Sequence, residues 1–165
     1  MLFITQPTYM PWIGFFSFLI KSENVVLLDD VQFARRSWQQ RNKIFKKNSF
    51  QYLSVPVIKK GNYNQNLNAV KIKDPSFFRK HLRIIEQTYS KCIYFKLIFK
   101  EIESLDNQIS STNKLSEVNI VIIRKILQIL NYDVKISLSS EYNVSEKKSL
   151  KLINICKKVG CMKLM

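Results

Sequence analysis

The sequence is poor in glycine, proline, cysteine and histidine. Its 165 residues include three glycines, four prolines, three cysteines and a single histidine. The shortage of glycine and proline, with no low-complexity tract, argues against long flexible linkers and disorder. The cysteines form no C-x-x-C pair, so a zinc site with the usual number of ligands is hard to assemble. Reduced thiols, as in the cytoplasm, are expected.

Long apolar runs are also missing. The uninterrupted apolar stretches are only a few residues long, whereas a membrane-spanning helix needs roughly 20. The start of the chain is apolar but has no basic segment, and Gln6, Pro7 and Pro11 interrupt it, which a signal peptide would avoid. We therefore expect a cytoplasmic protein without a transmembrane segment. With 46% apolar residues the chain can bury one core, which predicts a single domain over residues 1–165.

Positive charge is abundant and concentrated. The formal net charge is +15, and the segment from Arg35 to Lys60 contains eight basic residues and no acidic one. Such a segment attracts polyanions, so RNA, tRNA and phosphate-bearing substrates are candidate partners. A solvated lysine-rich surface without a specific partner is the alternative interpretation.

The order of the predicted elements indicates an α/β fold. Apolar runs at residues 1–5 and 25–28 flank a helix predicted over 14–21, which gives an N-terminal β-loop-α-β unit of Rossmann-like character with parallel strands. The remainder predicts additional strands and a helical C-terminal half in the same domain. The further strands are predicted at 43–45, 51–58, 69–73 and 134–138, and the further helices at 74–89, 93–109, 116–130 and 145–159, the last ending at Gly160 in a left-handed cap.

A motif lies in the loop between the first strand and the first helix, where α/β proteins present backbone amides to ligands. Gln6 offers an amide there, and Tyr9 and Trp12 offer flat faces for stacking on a sugar or a base. Packing of both aromatic rings in the core beside a rigid turn is the alternative. The motif reads Gln6-Pro7-x-Tyr9-x-Pro11-Trp12-x-Gly14.

A second motif combines acidic and basic residues. Asp29 and Asp30 end a predicted buried strand, so they could hold Mg²⁺, position a hydroxyl or an amine, or act as a general base. Arg41 and Lys43, farther along, could hold phosphate. A strand-end turn followed by a solvated basic loop is the alternative. Gln32, Trp38 and Asn42 lie in the same segment.

His81, the single histidine, lies on the apolar stripe of the helix predicted after Asp74. A hydrogen-bonded core histidine is the default interpretation of that position, and acid–base catalysis is the alternative.

Together these motifs resemble the WbqC-like family. The resemblance rests on the motif that begins at Gln6, on Asp29-Asp30-Val31-Gln32-Phe33 and on Trp38-x-x-Arg41-Asn42-Lys43-Ile44, in that order. It implies a cytoplasmic protein associated with O-antigen and related polysaccharide gene clusters, most readily a transferase or sugar-modifying enzyme that acts on an activated or amino sugar. It also implies that the C-terminal part of the family's fold is missing, because members usually continue for some tens of residues past the position of Gly160.

From the motifs and the resemblance we predict a site. Catalytic roles are predicted for Asp29, Asp30 and His81, and substrate binding for Gln6, Tyr9, Trp12, Gln32, Trp38, Arg41, Asn42 and Lys43. No cofactor is firmly implied, and Mg²⁺ at Asp29 and Asp30 is a candidate only.

Two other functions compete with this one. A nucleic-acid-binding module is suggested by aromatic residues interleaved with the basic ones between Arg35 and Lys60. A non-catalytic scaffold of the polysaccharide machinery is the other. Independently of function, the final five residues are expected to leave an unfinished sheet edge or exposed apolar surface.

Overall fold

A computed structural model describes residues 1–46, 48–58 and 64–161 of the protein. In these ranges strands and helices alternate at the start of the chain, and helices dominate its second half. The elements are β1 (Leu2–Thr5), α1 (Ile13–Ile20), β2 (Asn24–Leu27), β3 (Arg41–Lys46), β4 (Ser49–Ser54), a 3-10 helix (Leu67–Ala69), α2 (Phe77–Tyr89), α3 (Phe95–Glu103), α4 (Asp106–Ser111), α5 (Leu115–Ile129), β5 (Lys135–Leu138), a second 3-10 helix (Ser139–Tyr142) and α6 (Lys148–Val159).

Parallel strands form the central sheet. Across the described ranges its order is β1-β2-β5, and both pairs of neighbours are parallel, with Leu2 opposite Asn24 and Asn24 opposite Lys135. The predicted parallel β-loop-α-β unit is therefore confirmed. Because all three strands run the same way, the loops that follow them meet at one edge of the sheet.

Helices cover both faces of this sheet. Val25 and Leu27 of β2 pack against α1 and α5, whereas Val26 and Leu28 point to the opposite face and pack against α6 residue Ile155. The uninterrupted apolar run from Val25 to Leu28 is typical of a parallel strand that is buried on both faces. The result is one mixed α/β domain in three layers.

A second core lies beyond α5. The antiparallel hairpin β3–β4 and the helices α2 and α4 enclose it, and α5 separates it from the sheet because opposite sides of that helix carry Ile122 and Ile123. The predicted apolar stripe of α2 is confirmed. Its buried residues are Phe77, Phe78, His81 and Leu82.

Several predicted boundaries were wrong. The strand predicted at 69–73 is absent, because this stretch makes only isolated bridges, from Lys71 to Lys114 and from Ile72 to Val57. The strand predicted at 51–58 ends at Ser54. At the next residue the Val55 carbonyl accepts a hydrogen bond from the Gln40 side chain and not from a neighbouring strand.

Helix boundaries also differ from the predictions. The helix predicted over 93–109 is divided into α3 and α4, since a tight turn places Leu105 and Ile109 in the second core. Helix α2 begins at Phe77, after a turn in which the Asp74 carboxylate accepts from Ser76. Gly160 has the predicted left-handed conformation, with φ of 71°.

The predicted unfinished edge at the last five residues lies almost wholly outside the described residues, which end at Cys161. No helix in the described ranges is long and apolar enough to cross a membrane.

Asn119 of α5 anchors two loops to the helix. Its side chain is fully buried, and its amide nitrogen donates to the Pro7 carbonyl at 3.0 Å and to the Gln39 carbonyl at 2.8 Å. An amide nitrogen carries two hydrogens, so the single Asn119 side chain can donate to both buried carbonyls. One residue of α5 therefore holds the loop after β1 and the segment before β3.

We predict that Asn119→Ala lowers the free energy of unfolding by roughly 2–3 kcal/mol, because two buried carbonyls lose their donor. Urea denaturation measures the change. The control is Asn107→Ala on the exposed side of α4, which should change stability by less than about 0.5 kcal/mol. Equal effects of the two substitutions would contradict the anchoring role.

Candidate functional site

A polar cleft lies at the carboxyl ends of β1 and β2. Gln6 follows β1 and Asp30 follows β2, and both line the cleft, which has a volume of about 760 Å³. This is the edge of a parallel sheet at which ligands of α/β proteins bind. Its other polar lining residues are Gln32, Asn64, Asn66, Ser145, Glu146, Lys147, Lys148 and Lys151.

One wall of the cleft is made by two antiparallel segments. Gln32 pairs with Asn66 through an isolated bridge, and the backbone amide of Leu67 donates to the Val31 carbonyl at 2.8 Å. These bonds bring the side chains of Gln32, Asn64 and Asn66 to the same cleft. The wall therefore offers several neutral amides, which can both donate and accept hydrogen bonds.

Asp29 is buried beneath the cleft. Its Oδ1 accepts from Ser139 Oγ at 3.1 Å and from the Ser140 amide at 3.0 Å, and its Oδ2 accepts from Ser140 Oγ at 2.8 Å. These donors follow β5, so the carboxylate joins the end of β2 to the end of β5. Asp29 orients this edge of the sheet and does not itself line the cleft.

Asp30 forms a half-buried ion pair with Lys151 of α6. The ammonium group lies 2.7 Å from Asp30 Oδ2 and also donates to the Val144 carbonyl at 3.1 Å. Ser139 Oγ also makes a short contact with Asp30 Oδ1, so the single hydrogen of this hydroxyl is shared between the two carboxylates. Both residues line the cleft, so a fixed carboxylate and a fixed ammonium group form part of its surface.

The side chains around Asp29 and Asp30 do not fit a bound Mg²⁺ ion. Mg²⁺ requires free oxygen ligands, but the oxygens of Asp29 and Asp30 already accept hydrogen bonds, and the Lys151 ammonium repels a second cation. Among residues 1–46, 48–58 and 64–161, no group of three or more His, Cys, Asp or Glu side chains could hold a metal ion. The carboxylates are better suited to orienting hydroxyl or amine groups.

The start of α6 brings lysines to the cleft. Lys147 and Lys148 line it, and Lys148 has the uncommon positive φ of 54°. A non-glycine residue in the left-handed region costs about 1–3 kcal/mol and is concentrated at functional sites. With Lys151, these residues give this side of the cleft a positive charge that the Glu146 carboxylate offsets only in part.

A second cavity lies next to the polar cleft and carries two exposed tryptophans. Trp12 and Trp38 are 66% and 52% exposed and line a cavity of about 460 Å³ with Thr5, Thr8 and Asn42. We call it the tryptophan cavity. Both rings present flat apolar surfaces to solvent beside hydroxyl and amide groups, an arrangement suited to a ring-shaped polar ligand.

Local contacts fix the tryptophan cavity. A Cβ at Gly14 would lie only 1.9 Å from the Trp12 ring, so the ring occupies the space that a side chain at Gly14 would need. The Asn42 amide nitrogen donates to the Met10 carbonyl, and Met10 has a φ of 44°.

Hydrogen bonds couple the cleft and the tryptophan cavity. Gln39 Nε2 donates to Gln6 Oε1 at 2.8 Å, and the Tyr9 amide donates to the Trp38 carbonyl at 2.9 Å. The loop of residues 6–12 and the segment of residues 38–42 therefore act as one unit that borders both spaces.

Tyr9 does not face the cleft, contrary to the expectation that it would surround a ligand. It is fully buried in the second core, and its hydroxyl oxygen lies 2.7 Å from Nδ1 of His81, which is also buried. Burial raises the pKa of Tyr9. The histidine pKa is lowered to about 4, chiefly by burial, and a backbone hydrogen bond with Ser54 opposes the shift. This geometry matches the core alternatives for both residues.

Arg41 and Lys43 also lie away from the cleft, which corrects the expected phosphate site. They share one face of the β3–β4 hairpin with exposed aromatic rings. The Arg41 guanidinium lies 4.2 Å from the centre of the Tyr52 ring, and the Lys43 ammonium lies 5.4 Å from it. Thus Gln6, Asp30 and Gln32 meet in the cleft, and Trp12, Trp38 and Asn42 in the tryptophan cavity.

Several site residues were missed from the sequence. Lys151 lies one turn before Ile155 on the buried stripe of α6, and Asn119 lies on the buried stripe of α5. A polar residue at a position where the helical periodicity predicts an apolar one is a signal that could have identified both. No site role was predicted for Ser139, Ser140 or Gln39, whose partners in the site are distant in sequence.

Fold and site together define a mixed α/β protein with a candidate ligand cleft at the carboxyl ends of parallel strands. The chain belongs to the WbqC-like protein family, whose model matches residues 6–165. It is 28% identical over 157 residues to the uncharacterized protein Rv1507c of Mycobacterium tuberculosis (strain ATCC 25618 / H37Rv), and the match covers 95% of this chain and 68% of that relative. No solved structure gave a significant match.

We predict that His81 makes the protein less stable in acid. Its pKa is about 4 in the folded chain against an ordinary 6.5, so the unfolded state takes up a proton first as pH falls. Stability should be unaffected by His81 above pH 6.5 and should fall by roughly 3 kcal/mol in total as pH drops to 4.

Denaturation of the native protein and of His81→Gln between pH 7.5 and pH 4.5 tests this expectation. The glutamine does not titrate and can still accept from Tyr9, so its pH dependence should be shallower. Parallel curves for the two proteins, or an imidazole that titrates near 6.5 by NMR, would refute it.

Proposed function

We propose that this protein is a transferase or sugar-modifying enzyme of bacterial surface polysaccharide (O-antigen) biosynthesis, which binds a phosphate-containing activated sugar. The observation that carries the proposal is that a single loop borders two complementary spaces. Gln6 lies in the charged cleft, whereas Thr8 and Trp12 lie in the tryptophan cavity. The role in O-antigen assembly is what the resemblance to the WbqC-like family implies.

The cleft supplies the groups that a phosphate needs. Lys147 and Lys148 begin α6, so their ammonium groups and the free backbone amides of the first turn are close to one another. Charged donors of this kind bind phosphate more strongly than neutral ones, and helix N-termini favour anions. The amides of Gln6, Gln32 and Asn66 can bind hydroxyl groups beside the phosphate.

The tryptophan cavity supplies the groups that a sugar ring needs. Trp12 and Trp38 can pack against the C–H surface of the ring, and Thr8 and Asn42 lie beside them with polar atoms. Because the Gln6–Gln39 hydrogen bond joins this cavity to the cleft, one ligand can place its sugar in one space and its phosphate in the other.

We assign the chemical step to Asp30. It is the predicted catalytic residue that lines the cleft, and Lys151 and Ser139 each contact one of its carboxylate oxygens and so fix its orientation. An ionised carboxylate so oriented can accept a proton from an attacking hydroxyl or amine. Asp29 acts through Ser139 and Ser140 as a positioning residue. A Rossmann-like character of the β1-α1-β2 unit and a cytoplasmic location are parts of the same proposal.

Calorimetric titration with a nucleoside-diphosphate sugar, and with the nucleoside diphosphate alone, tests the proposal. Lys148→Ala should weaken binding of both by about 10- to 100-fold, the equivalent of roughly 1.5–3 kcal/mol for a charge-assisted hydrogen bond. Lys157→Ala, at the exposed opposite end of α6, is the control and should have little effect.

Binding of the sugar ring in the tryptophan cavity is tested by a separate pair of variants. Trp12→Ala should weaken binding of the nucleoside-diphosphate sugar several-fold more than binding of the nucleoside diphosphate, while Ile13→Ala, at the neighbouring 85% exposed position, should change neither. No binding by the native protein, or equal losses in the Lys148 and Lys157 variants, would reject the proposed function.

A second candidate function is binding of single-stranded RNA or tRNA by the hairpin. The cross-strand register places Lys43 opposite Tyr52 and Phe45 opposite Phe50, on the same face as Arg41. The three aromatic side chains are exposed, with cations above two of them. Exposed rings interleaved with cations are how proteins bind unpaired bases. This face, rather than the whole segment from Arg35 to Lys60, is the proposed contact.

Fluorescence anisotropy with a labelled oligoribonucleotide tests this candidate. Tyr52→Ala should weaken binding by about 5- to 100-fold, since stacking contributes roughly 1–3 kcal/mol per base. Tyr132→Ala, at a comparably exposed ring after α5, is the matched control. Equal effects of both substitutions, with a steep dependence on salt, would show that only the net charge attracts RNA.

A further inference from the structure

The loop of residues 6–12 also borders a third cavity. Met10 and Pro11 form part of the wall of a space of about 540 Å³ between α2, α3 and α5. The helices contribute almost exclusively aliphatic and aromatic side chains, among them Ile85, Ile98 and Ile126. Its volume lies within the roughly 300–1,000 Å³ typical of small-molecule sites. We call it the apolar cavity.

The mouth of the apolar cavity is exposed and apolar. Ile93 and Tyr94, in the turn between α2 and α3, line it although they are 88% and 68% exposed. Apolar side chains gathered at the opening of an apolar space are a signature of a binding site, because leaving them in water is unfavourable.

Two lysines flank the exposed turn at the mouth of the apolar cavity. Lys91 precedes the lining residue Cys92, and Lys96 follows the lining residue Phe95, and both lysine side chains are exposed. In the described parts of the chain neither forms an ion pair with a carboxylate. An apolar space with a cationic rim is complementary to an aliphatic chain that carries an anionic head.

We propose that the apolar cavity binds the aliphatic chain of an anionic single-chain amphiphile. The loop of residues 6–12 separates the apolar cavity, through Met10 and Pro11, from the tryptophan cavity, through Thr8 and Trp12. A molecule that bears both a sugar and an aliphatic chain is therefore the substrate class that fits this loop. That last step rests on the proposed function, whereas chain binding itself does not.

Titration with alkyl phosphates of increasing chain length, each below its micellar concentration, tests the proposal. Affinity should rise about four-fold for each added methylene, the equivalent of roughly 0.8 kcal/mol, until the chain fills the cavity. Decyl glucoside, with the same chain and no charge, should bind more weakly than decyl phosphate. Lys96→Glu should reduce this difference between the two heads. An affinity that does not depend on chain length would overturn the proposal.

Substitutions at two neighbouring residues of α3 test whether the aliphatic chain binds in the apolar cavity. Ile98→Trp fills it and should lower affinity for decyl phosphate at least ten-fold, whereas Leu97→Trp, at the neighbouring residue outside the lining, should not. Leu130→Trp fills the cavity from α5 and serves if the Ile98 variant fails to fold. Equal effects in lining and non-lining variants would place the chain elsewhere and refute the proposal.

Two further measurements distinguish the proposed ligand from a membrane and from a second copy of the chain. Binding to anionic phospholipid vesicles without binding of monomeric decyl phosphate would mean membrane docking, and concentration-dependent dimerisation in its place would mean a second copy of this chain; either result overturns the proposal. Binding of the nucleoside-diphosphate sugar is measured on the native protein alongside decyl phosphate. Binding of decyl phosphate without binding of the nucleoside-diphosphate sugar rejects the proposed function alone, and the reverse result rejects the apolar-cavity proposal alone.

Discussion

The buried carboxylate of Asp29, with its neighbour Asp30, is the constraint on which the cleft depends. A carboxylate can be buried only when it is paired or fully hydrogen-bonded. Ser139 and Ser140, which follow β5, bind Asp29, and Lys151 of α6 binds Asp30. The aspartates follow β2, so these bonds close the edge of the sheet between elements more than 100 residues apart. The polar cleft exists because this network holds its base in place.

The loop of residues 6–12 is the second determinant of the site. Successive side chains point in different directions, so one short segment reaches the polar cleft, the tryptophan cavity and the apolar cavity. Its conformation is held from outside: Asn119 binds the Pro7 carbonyl, Asn42 binds the Met10 carbonyl, and the small size of Gly14 leaves room for the Trp12 ring. Met10 is kept in the left-handed region by these contacts. Rigid attachment of this kind favours a preorganised site.

Some of the titratable side chains of the sequence motifs lie in the core of this fold, and others lie on its surface. The Tyr9–His81 pair joins the loop after β1 to α2 inside the second core, where burial keeps both side chains neutral near pH 7. The basic residues Arg41 and Lys43 lie on the hairpin, stacked on aromatic rings. Charge near the cleft comes instead from α6. Residues that are close together in the sequence motifs therefore have different roles: some pack in the core, some face the candidate ligand cleft, and some form a separate cationic face.

The family, the α/β class, the parallel β1-α1-β2 unit, the apolar stripe of α2 and the left-handed end of α6 were predictable from the sequence, because they follow from local periodicity, turn chemistry and contiguous motifs. Gln6 and Asp30 could also be expected at one edge, since loops after parallel strands meet there. The burial of Tyr9, Asp29 and His81, and the origin of the aspartates' partners after β5 and in α6, became evident only from the three-dimensional structure. Those outcomes depend on long-range packing and on strand register, in which one residue of displacement reverses the face that every side chain occupies.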